Sequence, residues 1–153
     1  MKLSTKGRYG LKAMVDLAVV YGETRLSISN LASMQGISDA YLEQLVSALK
    51  KAGLVESVRG AQGGYTLAKS PENITVNEVL KALEGETTLV DCVSSDKVDC
   101  SNACSCSARP LWLKLQSKID EVLDSTTLKD MADDYKIQMK NISERSIHEK
   151  DIS

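Results

Sequence analysis

The chain has 153 residues, a length suited to one compact domain with an appended helix. Hydrophobic residues make up 42% of it and charged residues 26%, and phenylalanine is absent, so the core must be aliphatic. No stretch approaches the roughly 18 apolar residues that a membrane helix needs, and the first residues lack the apolar segment of a signal peptide. We therefore expect a cytoplasmic protein with no membrane partner, in which thiols stay reduced.

The formal net charge of -2 conceals an uneven distribution. Residues 1–69 carry nine Lys and Arg against five Asp and Glu, whereas residues 70–153 carry ten against sixteen. A basic front half and an acidic back half favour a nucleic-acid-binding face on the first portion. A small positive excess is also common on an ordinary solvated surface, so the charge alone is weak support.

Three helices are predicted first, and the second and third, joined by a tight turn that contains Gly36, form a helix-turn-helix. Residues 9–21 place apolar side chains at helical spacing and predict a core helix that includes Tyr21. Ser27 and Gly36 are typical of the start and the stop of a short second helix. Ser38 predicts the cap of a third helix that closes at Gly53. The predicted inward residues of the last two helices are Ile28, Leu31, Met34, Leu42, Leu45, Val46 and Leu49.

A β-hairpin is predicted next, over residues 54–68. Its two short apolar segments flank a turn with three glycines, and Arg59 and Gly60 lie near the tip. A helix-turn-helix followed by a two-stranded hairpin is a winged helix. The predicted fold class is mostly α with a small β-hairpin (α+β). A generic small α+β domain is the alternative.

The back half begins with a capping box at Thr75 and Glu78, which opens a helix that ends at Gly85. Residues 108–124 carry an apolar stripe wider than a single surface helix needs, which predicts a long C-terminal dimerisation helix. The alternative is that this helix packs back on its own domain. The residues of the stripe are Leu111, Trp112, Leu115, Ile119, Val122 and Leu123.

Thr127 predicts a further short helix that ends at Tyr135, and the polar residues after it predict a disordered tail. The chain is thus divided into four parts: a winged helix-turn-helix domain at 1–85, a cysteine-rich loop at 86–107, the dimerisation helix with the short helix after it at 108–136, and the tail at 137–153.

A DNA-binding face is predicted at the start of the third helix and at the hairpin tip. The Gln44 amide can form two hydrogen bonds with adenine, and the Glu43 carboxylate can accept one from the amino group of cytosine. The hydroxyls of Ser38 and Tyr41 can donate to phosphate oxygens. Arg59 suits a narrow minor groove. The candidate residues are Ser38, Ala40, Tyr41, Glu43, Gln44, Arg59 and Gly60.

All four cysteines lie in one short segment, with the spacing C-x7-C-x3-C-x-C. Soft thiolates bind zinc or iron–sulfur clusters, but structural zinc sites usually pair their cysteines in C-x2-4-C knuckles, and this spacing lacks them. On spacing alone, zinc, an iron–sulfur cluster and a reversible dithiol switch all stay open. The candidate ligands are Cys92, Cys100, Cys104 and Cys106.

Three separated blocks carry a family resemblance: MKLSTKGRYGLKAMVDLA, GISDAYLEQLVSALKKAGLVESVRGAQGGY, and the cysteine loop followed by PLWLKL. Together they resemble the IscR-type iron–sulfur cluster regulators, winged-helix transcription factors of bacteria related to NsrR and CymR. The resemblance covers about residues 1–135. It implies a homodimer built on the long C-terminal helix, binding to palindromic double-stranded DNA operators, and a [2Fe–2S] or [4Fe–4S] cluster that alters this binding.

The resemblance supports three cluster ligands, Cys92, Cys100 and Cys106, with the first gap two residues longer than usual. The fourth ligand of such relatives is a histidine or an aspartate, and here those positions hold Arg109 and Arg8. Cys104 is therefore the leading fourth ligand, ahead of an exogenous ligand or a residue of the partner subunit. The alternative is that Cys104 is a spare thiol able to form a disulfide.

The sequence predicts a transcriptional regulator rather than an enzyme. The single histidine, His148, lies in the predicted tail, and the glycines near Arg59 belong to the wing rather than to a phosphate-binding loop. The alternatives are a cluster-free winged-helix regulator with a zinc or thiol switch, or one controlled by a protein partner, as in relatives of the cysteine-metabolism type.

Overall fold

The structure is a computed structural model that describes residues 3–93 and 106–152. The described part is mostly helical with one two-stranded antiparallel hairpin, so the predicted class is confirmed. Single turns of 3-10 helix lie at Pro71–Asn73 and Asp91–Val93. The helices and strands are α1 (Thr5–Val19), α2 (Ile28–Gln35), α3 (Asp39–Lys51), β1 (Val55–Val58), β2 (Gly64–Leu67), α4 (Val76–Glu84), α5 (Arg109–Ser125) and α6 (Leu128–Ile152).

The helix-turn-helix forms where the sequence predicts it. The hydroxyl of Ser27 accepts a hydrogen bond from the backbone N–H of Asn30 at 3.1 Å and caps α2. Gly36 ends that helix with a φ of 68°, a left-handed conformation that glycine adopts without strain. The hydroxyl of Ser38 then accepts from the N–H of Tyr41 at 3.2 Å and caps α3. Both predicted caps are confirmed.

The core lies between α1, α2, α3 and α4, and the first turns of α6 close it. The four inward residues predicted for α3 are buried, as is Leu31 of α2. Two predictions were wrong, because Tyr21 lies past the end of α1 and Met34 lies on the outer side of α2, and both side chains are exposed. The largest fully buried side chains are Met14, Leu17, Leu31, Leu42, Leu45, Leu49, Ile74, Val79, Leu80 and Leu128.

The first helix begins earlier than its apolar spacing predicts, at Thr5 instead of residue 9. Ser4 caps it, since its hydroxyl accepts from the N–H of Gly7 at 3.3 Å. Glu84, at the end of α4, accepts from the N–H groups of Ser4 at 2.8 Å and Gly7 at 3.1 Å. A carboxylate at this position accepts hydrogen bonds from free N–H groups, and its negative charge interacts favourably with the positive end of the helix dipole. The first turn of α1 is therefore stable although the helix contains Gly7 and Gly10.

The capping box that was predicted for α4 is present and confirmed. The N–H of Glu78 donates to the hydroxyl of Thr75 at 3.2 Å, and the Glu78 carboxylate accepts from the N–H of Thr75 at 2.8 Å. Lys69 lies 3.2 Å from the same carboxylate. Burial acts to raise the pKa of Glu78, but the hydrogen bonds from Thr75 and Lys69 outweigh it and hold this pKa below its ordinary value.

The last helix is longer than predicted. The sequence predicted a helix ending at Tyr135 and a disordered tail, but α6 continues without a break to Ile152. Residues 128–152 contain no glycine or proline and are rich in good helix formers, which compensates for the weak apolar period. The hydroxyls of Ser143 and Ser146 satisfy carbonyl groups one turn earlier, each at 3.1 Å. The division of the chain at residues 85, 107 and 136 stays a prediction.

The two C-terminal helices are joined to the winged domain by backbone hydrogen bonds. The N–H of Val76 donates to the carbonyl of Thr126 at 2.9 Å, and the N–H of Leu128 donates to the carbonyl of Ile74 at 2.9 Å. These bonds fix the junction between α5 and α6 against the start of α4. None of the helices in the described ranges is long and apolar enough to span a membrane.

Candidate nucleic-acid interface and cysteine segment

The first half of α3 separates into an inner and an outer face. Ala40, Glu43 and Gln44 are exposed on the outer face, while the apolar residues predicted to point inward are buried. Ser38 is exposed at the start of the helix, where its capping bond uses an acceptor lone pair and leaves its O–H free to donate. The structure thus brings four of the predicted contact residues together on one surface.

Tyr41 lies at the edge of this surface and is half-buried. Its ring packs edge-on against Tyr9 of α1, with centroids 6.4 Å apart and planes at 86°. Lys12 lies over the Tyr9 ring, 5.4 Å from its centroid. The Tyr41 ring therefore holds α3 against α1, a role that the sequence did not reveal, and its phosphate contact stays a prediction.

A hydrogen bond between side chains fixes the angle between α2 and α3. The hydroxyl of Ser29 donates to the carboxylate of Asp39 at 2.8 Å. Asp39 is in the first turn of α3, where its negative charge also favours the helix dipole. Sequence reasoning missed this bond, because the two residues lie in different helices and no local spacing predicts their contact.

The wing tip has the predicted composition and exposure. Arg59 and Gly60 are exposed, and the φ of Gly60 is 113°. Gly63 is required by close packing, because a Cβ built there would lie 2.2 Å from the carbonyl oxygen of Val58. The glycines therefore allow a narrow loop that presents Arg59 at its end.

The wing is also supported from the segment between α1 and α2. Leu26 pairs with Tyr65 of β2 through two backbone hydrogen bonds, at 3.2 and 2.8 Å. Next to it, the guanidinium of Arg25 donates to the carbonyl of Gln62 in the wing loop at 3.4 Å. Sequence reasoning missed both contacts. A single backbone pair produces no alternation of apolar and polar residues, and Arg25 and Gln62 are far apart in the chain.

The two lysines at the end of α3 have different surroundings. The ammonium of Lys50 donates to the hydroxyl of Ser57 on β1 at 2.8 Å and so connects α3 with the wing. Lys51 is exposed in the last turn of the helix, where a cation favours the negative end of the dipole. The Lys50 contact favours a bracing role over a phosphate contact for that residue.

A buried carboxyl group connects α1 and α2 beneath the helix-turn-helix. Asp16 is only 8% exposed, and its carboxylate accepts a hydrogen bond from the side chain of Gln35. Burial raises the pKa of Asp16 above its ordinary value and outweighs the lowering effects of the Gln35 hydrogen bond and the Lys12 charge. An open cavity of about 660 Å³ adjoins Asp16, between α1, α2 and α6.

The structure describes two of the four cysteines. Cys92 lies in the 3-10 turn Asp91–Val93, which contacts α5, and Cys106 lies three residues before α5 begins. Both have free thiols and are half-exposed. Cys100 and Cys104 lie outside the described residues. Within residues 3–93 and 106–152, no group of three or more His, Cys, Asp and Glu side chains could hold a metal ion.

Cys92 and Cys106 have a side-chain type that can bind a soft metal, and their role as cluster ligands stays a prediction. Their uncommitted sulfur atoms are of the type that binds iron–sulfur centres. The Nε of Arg109 is buried and has no hydrogen-bond partner within the described part of the chain, and this holds also for the hydroxyl of Thr87.

One face of α5 has no covering element in the described chain. Leu111, Leu115 and Val122 are 52%, 40% and 62% exposed, and their spacing places them within about 40° of one another around the helix. Leu113 is also exposed but lies on a different side of α5. Leu111, Leu115 and Val122 are the exposed members of the stripe predicted for dimerisation, while Trp112, Ile119 and Leu123 are half-buried, and the role of this helix in the dimer stays a prediction.

Comparison with known proteins identifies the architecture. A profile described as "Rrf2: Iron-dependent Transcriptional regulator" matches residues 3–134. The chain belongs to the Rrf2 family. This regulator is 44% identical over 132 residues to the HTH-type transcriptional regulator CymR of Bacillus subtilis, covering 86% of its own chain and 90% of CymR. It is 40% identical over 138 residues to IscR of Aliivibrio salmonicida, covering 90% of its own chain and 81% of IscR.

Solved structures agree. The structure of CymR, described as the global cysteine regulator of B. subtilis, matches with a TM-score of 0.74 and 45% identity over 87% of this regulator and 97% of CymR. IscR of T. potens matches with a TM-score of 0.70 and 47% identity over 88% of each chain. The predicted family and the winged helix are therefore confirmed.

The comparisons also confirm the broad function. The relatives are transcriptional regulators, so this regulator is not an enzyme, as predicted. Regulators of the Rrf2 family bind DNA and function as dimers, and this chain is one of them. The family match ends at residue 134, so most of α6 lies beyond it. The identities to CymR and IscR are similar, so they do not distinguish between the signals of these two kinds of regulator. The type of signal must therefore be inferred from the cysteines.

Proposed function

We propose that this protein is a dimeric repressor-type regulator whose affinity for palindromic operators is controlled by an iron–sulfur cluster. The ligands are Cys92, Cys100 and Cys106, with Cys104 as the fourth. The observation that carries the proposal is that the thiols of Cys92 and Cys106, both in the segment between α4 and α5, are free and half-exposed. The family description, which is of iron-dependent regulators, supports it.

The cluster would supply a centre whose presence or charge depends on iron, oxygen or nitric oxide, so the regulated genes would serve iron–sulfur or redox homeostasis or the response to nitrosative stress. The chain's own residues provide the rest. Four thiolates would hold the centre, and all-thiolate ligation would give it a lower reduction potential than ligation that includes imidazole. Because the turn that carries Cys92 contacts α5, a change at its sulfur acts directly on the dimerisation helix.

DNA recognition follows from the exposed surface of α3 and the wing. Gln44 and Glu43 are directed to base edges in the major groove, where an amide suits adenine and a carboxylate suits cytosine. Arg59 and Gly60 approach the minor groove, while Ser38 and Tyr41 contact phosphates and Ala40 contacts a thymine methyl group. The Lys50 to Ser57 hydrogen bond keeps the wing at a fixed angle to α3 during binding.

Anaerobic reconstitution tests the proposal. Purified dimer is supplied with iron and sulfide without air, and its absorption spectrum and native mass are recorded beside the Cys92→Ala, Cys104→Ala and Cys106→Ala variants. We expect brown wild-type protein, loss of the cluster in the Cys92 and Cys106 variants, and an altered spectrum in the Cys104 variant. An unchanged Cys104→Ala spectrum would remove Cys104 from the ligand set.

Operator binding is then compared between the loaded and the unloaded dimer at one salt concentration, since affinity for DNA depends steeply on salt. We expect the two forms to differ. Equal affinity for every operator tried would refute control by the cluster, and colourless protein that contains zinc would indicate a structural site instead.

A second candidate is a cluster-free regulator of cysteine metabolism that is controlled by a thiol switch or a protein partner. The 44% identity to CymR favours it, as does the description of CymR as a global cysteine regulator. Under this candidate, reconstitution fails, while oxidation of the thiols or addition of an enzyme of cysteine synthesis changes operator affinity. The reconstitution experiment therefore separates the two candidates.

A further inference from the structure

A buried amide side chain fastens the segment before Cys92 to the middle of α5. Gln116 is 8% exposed, although its neighbours along the helix are exposed. Its Nε2 donates to the carbonyl of Thr87 at 3.0 Å, and its Oε1 accepts from the N–H of Leu89 at 2.7 Å. Nε2 also donates to the carboxylate of Asp120 at 2.9 Å. Both N–H groups of the amide and its oxygen are thus engaged.

These bonds hold the loop in one place relative to α5. A buried amide that loses its hydrogen-bond partners is destabilising, so the loop resists separation from Gln116. Cys92 follows Leu89 by three residues, in a turn closed by a hydrogen bond from the N–H of Val93 to the carbonyl of Val90 at 3.2 Å. A displacement of the loop at Thr87 and Leu89 would therefore break the Gln116 bonds or carry α5 with it, and Cys92 lies three residues beyond Leu89.

The far end of α5 is attached to the DNA-binding domain. The side chain of Asn77 in α4 donates to Asp124, and the N–H of Val76 donates to the carbonyl of Thr126 at 2.9 Å. α4 in turn contacts α3. One helix is thus fixed at its middle to the cysteine segment and at its end to the element beneath the recognition helix. α5 also carries the exposed stripe formed by Leu111, Leu115 and Val122.

We propose that Gln116 is the positioning residue that transmits the state of the Cys92 sulfur to α5, and through it to the spacing of the two recognition helices. The inference rests on the proposed function, because it needs a signal at Cys92. It adds a hydrogen-bonded link to the direct contact between the Cys92 turn and α5. Without the amide, the cysteine segment could still bind its group, but α5 would respond less.

The test compares wild type with Gln116→Met, which keeps the volume of the side chain but removes its three hydrogen bonds. Ala132→Gly in α6 is the matched control for a loss of stability, because Ala132 is buried far along the chain from the loop. Iron and sulfide are supplied to each protein without air. Cluster content, dimer mass and operator affinity of the loaded and unloaded forms are measured, with amide hydrogen exchange at Leu89.

For wild type and Ala132→Gly we expect loaded and unloaded affinities that differ by about 5–150-fold, the usual range of coupling between sites. Gln116→Met should keep the cluster content, the dimer and the unloaded affinity, while its affinity ratio falls towards unity. Exchange at Leu89 should be about two- to tenfold faster in Gln116→Met, since the N–H has lost its acceptor.

Two results would overturn the inference while leaving the proposed function intact. One is a Gln116→Met protein that keeps the wild-type affinity ratio, and the other is an Ala132→Gly protein that loses it equally. Asp120→Ala gives a second check, because it leaves the amide in place without one acceptor and should lower the ratio less than Gln116→Met does. A wild-type protein that takes up no cluster would overturn both the inference and the proposed function.

Discussion

The carboxylate of Glu84 accepts a hydrogen bond from the backbone N–H of Gly7 at 3.1 Å, which joins the end of α4 to the start of α1. A Cβ at Gly7 would lie only 2.3 Å from the Glu84 oxygen, so the contact depends on glycine. Although α1 begins with a sequence unfavourable to helices, this contact holds its first turn in place. Because Glu84 is followed directly by the loop towards Cys92, the same contact fixes where that loop starts.

Gly7 and Glu84 should therefore show strong coupling in a double-mutant cycle. Glu84→Ala should lower the free energy of unfolding by about 1 kcal/mol, because it removes a charged cap from α1. In the Glu84→Ala background, Gly7→Ala should raise the free energy of unfolding by about 0.5–1 kcal/mol, because alanine favours a helix more than glycine does. In the presence of Glu84 this gain should be lost, because the new methyl group displaces the carboxylate. Urea unfolding of the four proteins measures the coupling, and additive effects would contradict the contact.

Asp16 should give the stability a pH dependence of known sign. Since burial raises the pKa of Asp16 in the folded state, its contribution is fully present below the ordinary pKa and is lost as pH rises through the folded pKa. Wild type should thus gain stability relative to Asp16→Asn as pH is lowered from 7 towards 4. Urea unfolding across this range measures the difference, with Asp151→Asn in the exposed last turn of α6 as the control. A wild-type advantage that grows with pH would be the wrong sign.

Leu115 should contribute to the dimer interface. Leu115→Glu would place an unpaired charge in an apolar contact, so the dissociation constant of the dimer should rise on the order of a hundredfold or more. Leu113→Glu is the matched control, because Leu113 is comparably exposed on the same helix but outside the Leu111, Leu115 and Val122 stripe. Sedimentation measures both variants. Equal dissociation of the two variants would exclude the stripe as the specific contact.

Arg59 should strengthen DNA binding through the wing. Arg59→Ala should weaken operator binding by about 1–3 kcal/mol if the side chain enters a groove. Lys140→Ala removes one exposed cation from α6, far from α3 and the wing along the chain, and should leave the affinity unchanged. Titration of labelled operator at fixed salt gives both values. An Arg59→Ala affinity equal to that of wild type would remove the wing tip from the interface.

Glu43 should set base preference more than affinity. The Glu43 carboxylate can accept a hydrogen bond from cytosine but repels the phosphate backbone. Glu43→Ala should therefore reduce the difference in affinity between the operator and its single-base variants. Gln44→Ala, the neighbouring exposed residue, should instead lose affinity for the operator itself. Binding to a panel of variant operators distinguishes these outcomes. A uniform loss over the whole panel for Glu43→Ala would disagree with its role.

Local signals in the sequence were sufficient for most of the winged domain. Ser27, Gly36 and Ser38 mark their helix ends by short-range hydrogen bonds and backbone conformation, which depend only on neighbouring residues. The start of α1 was missed because its stabilising partner, Glu84, lies far away in the chain. Propensity within a window cannot include such a contact.

The exposed residues of the candidate DNA-binding surface could be predicted from the sequence, but the contacts that hold this surface in place could not. The exposed outer residues of α3 follow from helical periodicity once the buried face is known. The contacts that brace them do not, since Ser29 with Asp39 and Lys50 with Ser57 are pairs brought together by folding. Gln116 has no signal in the sequence either, because a polar residue on a helix is expected to face solvent. The length of α6 was missed because it depends on composition without an apolar period.

The pairing of Leu26 with Tyr65 restricts how operator choice can be regulated. This pairing and the Lys50 to Ser57 hydrogen bond hold the wing in a fixed position relative to α3 in each winged-helix domain of the dimer. Under the proposed function, a signal would then change the distance and rotation between the two DNA-binding domains of the dimer. Inserting one base pair between the half-sites turns one by about 34° around the DNA axis. The loaded and unloaded dimers should therefore rank a series of operators with different central spacers in different orders.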